Sequence, residues 1–87
     1  MNYEKIPQLT IDTLERYVKD KIPTGGFLQA VLENNLTESF GRADRFNMAA
    51  MFEIVQYCYW EIPSICWGSP AKVKKWLGKG SDEEAND

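Results

Sequence analysis

The residues from Asp44 to Pro63, D-R-F-N-M-A-A-M-F-E-I-V-Q-Y-C-Y-W-E-I-P, constrain this chain most. Apolar side chains recur at Met48, Met51, Phe52, Val55, Cys58, Tyr59 and Ile62. Steps of three and four place them along one side of an α-helix of about four turns. The opposite side carries Glu53, Gln56 and Glu61, but also Ala50, Ile54, Tyr57 and Trp60. So wide an apolar stripe predicts a helix that touches neighbours on more than one side. Asp44 or Asn47 can cap its start. Pro63 ends it, because the residue before a proline is driven out of the helical region.

The remaining segments are short enough to wrap around this helix. Residues 1–9 read as an extended lead-in. Thr10 is the expected cap of a first helix with Ile11, Leu14, Tyr17, Val18 and Ile22 on one face, stopped by Pro23. The turn Pro23-Thr24-Gly25-Gly26 leads into a helix of about two turns from Phe27 to Asn34. Asn35 and Glu38 stand at capping-box spacing and open another short helix. Gly41 is its weak point, at about 1 kcal/mol relative to alanine. Ser69-Pro70 opens the last helix, with Val73, Trp76 and Leu77 on one side, Lys72, Lys74 and Lys75 on the other, and Gly78 at its end. Residues 79–87 are expected to form a disordered acidic tail. No run alternates with a period of two. The expected fold is all-α: a single compact domain at residues 10–78, with four to five short helices around a central one.

Composition excludes several functions. The chain has no histidine, which removes Ser-His-Asp and Cys-His catalysis and histidine-based metal sites. Two cysteines fall short of a structural zinc site, and neither GxxxxGK[ST] nor GxGxxG occurs. Neither catalysis nor a cofactor is expected. All ten Lys and Arg lie in residues 1–80 against nine Asp and Glu, a balance of +1, while residues 81–87 hold four acids and no base. A chain without a concentrated basic face is not a duplex-DNA binder, although two or three basic side chains suffice for a small anion. Cys58 and Cys66 are expected as reduced, partly buried thiols in a cytoplasm, with a single bridge as the other reading. No apolar run approaches 18 residues and no charged-then-apolar leader is visible, so membrane spanning and secretion are not expected.

Three constellations suit chemistry. Thr24, Gly25 and Gly26 let a ligand approach the backbone and place N–H groups at a helix start, or else simply connect two helices. Arg42 and Arg45, three apart with Asn47 beside them, suit a clamp for phosphate or carboxylate, or else pair with Glu38 or Asp44 to fix a helix junction. Trp67 and Ser69, in a glycine-containing loop, suit stacking and hydrogen bonding to a nucleobase, or else core packing. The lysines of the last helix read as its solvated side, or as long-range attraction for an anion.

Two segments, I22-P23-T24-G25-G26-F27-L28-x-A30-V31-L32-x-N34-N35-L36 and R42-A43-D44 with N47, followed by P63-x-x-C66-W67-G68-S69-P70-x-K72-V73-x-x-W76, carry a further signal. Together they resemble a family of small, uncharacterised proteins encoded in bacteriophage and prophage genomes, over about residues 14–77. The resemblance implies an accessory protein in the bacterial host cytoplasm and assigns no functional residue. The functional expectation is non-enzymatic antagonism of host defence by sequestering a nucleotide-type signal. The alternatives are an inhibitor that covers a host defence enzyme or nuclease, and a structural or virion-associated helper. A homo-oligomer is expected because the apolar surface is generous for the size.

Overall fold

The first helix, α1 (Gln8–Asp20), begins two residues before Thr10, inside the expected lead-in. Pro7 occupies its cap position with no side-chain hydrogen bond. Thr10 is therefore not a cap: it is buried, and its hydroxyl donates to Asn47 Oδ1 at 2.7 Å. The computed structural model describes residues 2–78, and the expected acidic tail lies outside them. After α1 come α2 (Gly26–Leu32), α3 (Leu36–Arg42), α4 (Arg45–Ala49), α5 (Met51–Glu61), a 3-10 turn (Ser64–Cys66) and α6 (Pro70–Trp76). No strand occurs among the described residues, and the chain is a small all-α single domain.

The segment expected as one central helix is two helices. Asp44 caps α4, its carboxylate accepting the Asn47 N–H. At Ala50 the backbone leaves helical geometry (φ −103°, ψ 13°), and the Ala50 N–H donates to the Asn47 carbonyl, three residues back instead of four. The expected stripe is only partly the buried side: Met51, Cys58 and Ile62 of it turn inward, joined by Ala50 and Ile54 from the side expected to face away. Ala50, Met51, Ile54, Cys58 and Ile62 are buried, whereas Met48, Phe52, Val55 and Tyr59 are exposed. An apolar-all-round helix has periodicity but no unique inward direction, so contact with Leu14, Tyr17, Leu28 and Leu32 in the shared core chooses its side. Leu14, Leu32 and Ile54 are sealed off from solvent, and truncating any one to alanine would cost about 2–5 kcal/mol.

Helix ends follow their local chemistry. Asn35 caps α3 by accepting the Glu38 N–H, as the spacing predicts. Just before it, α2 closes with Asn34 in the left-handed region (φ 64°). The Asn35 N–H reaches the Ala30 carbonyl and the Asn34 N–H the Val31 carbonyl, a Schellman closure that asparagine tolerates better than most residues. Helix α3 then folds back against α2. Gly41 has open space around it, so it marks no close packing within α3. Ser69 caps α6, with Pro70 in its first turn, and the Gly68 N–H donates to the Leu32 carbonyl at 2.7 Å. That bond docks the aromatic loop on the C-terminal end of α2.

Candidate functional site

The expected ligand residues fall in separate places. Arg42 lies against Gly26, close enough that a Cβ on that glycine would sit 2.8 Å from its guanidinium. Its Nε–H donates to Glu38 Oε1 at 2.8 Å. The surrounding recess of about 150 Å³ is also lined by Glu33, so two carboxylates face one guanidinium and an anion gains little there. Thr24 spends its hydroxyl on the Gly25 carbonyl. Gly25 supplies the left-handed turn (φ 99°) that starts α2.

Arg45 and Asn47 line a different groove, of about 760 Å³, with its guanidinium carbon 5.2 Å from the centre of the Phe46 ring. Lys5 and Arg45 are balanced there by Glu4 and Asp44, and the floor is Ile6, Leu9, Phe46 and Ala50. Asn47 is already committed, accepting from Thr10 and donating through Nδ2 to Asp44 Oδ1. Trp67 is half-buried against the core, and Ser69 is occupied as the α6 cap. Gly26 and Leu32 stand at opposite ends of α2, about 9 Å apart by helical rise, which keeps the Trp67–Ser69 loop away from Arg42. The two arginines, the glycine turn and the aromatic loop thus do not share one cavity.

A basic cavity forms elsewhere, where α1 ends beside α6. Lys21 closes α1 with φ 58°, a conformation that costs a residue other than glycine about 1–2 kcal/mol. Its ammonium stands 4.5 Å from the centre of the Trp76 ring. The ring itself is pinned, because Trp76 Nε1–H donates to the Tyr17 carbonyl at 2.9 Å. Lys72 and Lys75, one turn apart on α6, complete the wall, and Lys72 Nζ donates to the Ser64 carbonyl at 3.3 Å. Exposed Ile65 closes the lining of a cavity of about 400 Å³. Three lysines line it and no acidic residue does, in contrast to both arginine sites. Lys72 and Lys75 are legible in the sequence as a helix side, solvated or attracting an anion, but no spacing rule adds Lys21, which lies about fifty positions away. The only local hint is a lysine, rather than a glycine, at the end of α1.

Both cysteines are buried and unbridged, as expected for reduced thiols. Burial pushes the Cys58 thiol up to about 12. Burial raises Cys66 as well, opposed in part by the Lys21 charge. Neither is an activated nucleophile. Among the described residues no group of three His, Cys, Asp or Glu side chains stands where it could hold a metal, and no helix is long and apolar enough to cross a membrane. Compared with models of known protein families, with curated proteins and with solved structures, the chain matches none.

Proposed function

We propose that this protein captures an anionic, nucleotide-type molecule without transforming it, and that the Lys21–Lys72–Lys75–Trp76 cavity receives it. The observation that carries the reading is a cavity lined by three lysines and a fixed indole with no acidic residue in its lining. Phosphate oxygens neutralise the lysines, whose summed charge draws the anion in. Because Lys21 already lies over the Trp76 ring, a phosphate drawn to it brings an attached base within stacking reach of the indole. The left-handed backbone at Lys21 supports the reading, since strain of this kind concentrates at ligand-binding positions. The wider setting, a phage protein that removes a host defence signal, is part of the same proposal and is carried by the sequence resemblance.

A second reading, an inhibitor that covers a host protein, is favoured by the exposed aromatics Phe52, Tyr59 and Trp60 on α5. Thermal melting with inorganic pyrophosphate, nucleoside monophosphates and cyclic di- and trinucleotides separates the two. A ligand at hundredfold excess over its Kd stabilises the protein by about 2.7 kcal/mol. The Lys21→Ala/Lys75→Ala variant should lose that response, while Arg42→Ala keeps it. A flat panel with a folded protein rejects the capture reading.

A further inference from the structure

Helix α5 carries two apolar stripes, and the domain uses one of them. Met51, Ile54 and Cys58 enter the core. Met48, Phe52, Val55 and Tyr59 are 46%, 71%, 39% and 64% exposed. Their spacing of four, three and four residues is that of the a and d positions of a heptad, the pattern by which one helix seats its side chains between those of another. Phe52, Val55 and Tyr59 lie on uninterrupted α5, and Met48 extends the seam across the break at Ala50. Ala49 and Gln56 flank it, and Glu53 is the sole charged residue from Phe46 to Trp60.

We infer that this face is a self-association surface, and that α5 packs antiparallel against α5 of a second copy. The seam is complementary to itself: about a twofold axis, Phe52 of one copy meets Val55 of the other, and Met48 meets Tyr59. No like charges confront each other along the flanks. Covering the exposed parts of these four side chains, with Trp60 beside Tyr59, removes roughly 500 Å² per protomer, or about 1,000 Å² for the pair. That reaches about the least area expected of a specific interface, from a patch as large as the largest that a typical monomer leaves in water. An isologous pair also satisfies both copies at once and closes the assembly, leaving no seam open for further addition.

Sedimentation equilibrium of the full chain over a concentration series tests this. Expected is a dimer that Phe52→Glu converts to a monomer with its far-UV circular dichroism unchanged, since Phe52 supports nothing in the domain core. Should Phe52→Glu lose helical signal, Tyr59→Ser, at the other end of the seam, is expected to weaken the dimer by tenfold or more in Kd. A monomeric wild type over the whole series overturns the inference and leaves the face to a different protein. So does a dimer that neither substitution weakens.

Discussion

The Tyr17 hydroxyl donates to the Cys66 carbonyl at 2.6 Å, joining positions 49 residues apart in a site closed to solvent. The Tyr17 carbonyl in turn accepts both the Lys21 N–H and the Trp76 indole N–H. One residue thereby ties the end of α1 to the 3-10 turn and to α6, and holds two walls of the basic cavity at a fixed spacing.

Tyr17→Phe should leave the Cys66 carbonyl without its partner and cost about 1–3 kcal/mol. For a domain of this size that is a fall in Tm of about 4–8 °C per kcal/mol. Calorimetry gives the stability. The same variant should bind ligand more weakly, because the loop beside the cavity loses its anchor.

Lys21→Gly separates stability from binding. Glycine relieves the left-handed backbone, a gain of about 1 kcal/mol, against which the contact between ammonium and Trp76 contributes about 0.5–1 kcal/mol. Denaturant unfolding should therefore show the variant at least as stable as the parent. Its affinity for pyrophosphate should nevertheless fall by about tenfold, the equivalent of one lost ion pair at roughly 1.4 kcal/mol. Equal affinity would argue that Lys21 is at the site by accident.

Asn47→Ala should behave in the opposite way. It removes the acceptor for the buried Thr10 hydroxyl and a link to Asp44, costing about 1–2 kcal/mol. Ligand affinity should stay as in the parent, because Asn47 holds α1 against α4 and faces no anion. Arg42→Ala should change stability by less than about 1 kcal/mol, the ordinary worth of an exposed ion pair.

Stability should fall at alkaline pH. Cys58, Cys66 and Tyr17 all have pKa values raised by burial, so each holds its proton to higher pH in the folded chain than in the unfolded one. Unfolding restores their ordinary values, near 9.0 for the thiols and 10.0 for the phenol. Below those values neither state ionises and the stabilisation is complete. Above them the unfolded chain releases protons that the folded one retains, at a loss of up to about 1.4 kcal/mol per pH unit for each group. Urea unfolding from about pH 8 to about pH 11 should show midpoints that decline with pH. In the native protein both thiols should resist a thiol reagent until global unfolding exposes them.

Three helix starts were written locally and could be read so. Asn35, Asp44 and Ser69 each cap the helix that their spacing indicates, because a short polar side chain reaches an N–H within its own turn. Pro63 likewise drives Ile62 into extended backbone, whereas α1 has already closed at Lys21, so Pro23 is not its stop and Ile22 lies exposed beyond it. These local rules, together with the absence of alternating runs, determined an all-α domain. Direction and convergence were decided only by the tertiary structure. Which side of α5 turns inward depends on where α1 and α2 pack, and a helix apolar on nearly every side leaves that open. The basic cavity depends on Tyr17 drawing Trp76 to the end of α1, across a separation that no spacing rule spans. Arg42 and Arg45, close in sequence, end in separate recesses because the chain turns at Ala43 and Asp44 between two helices.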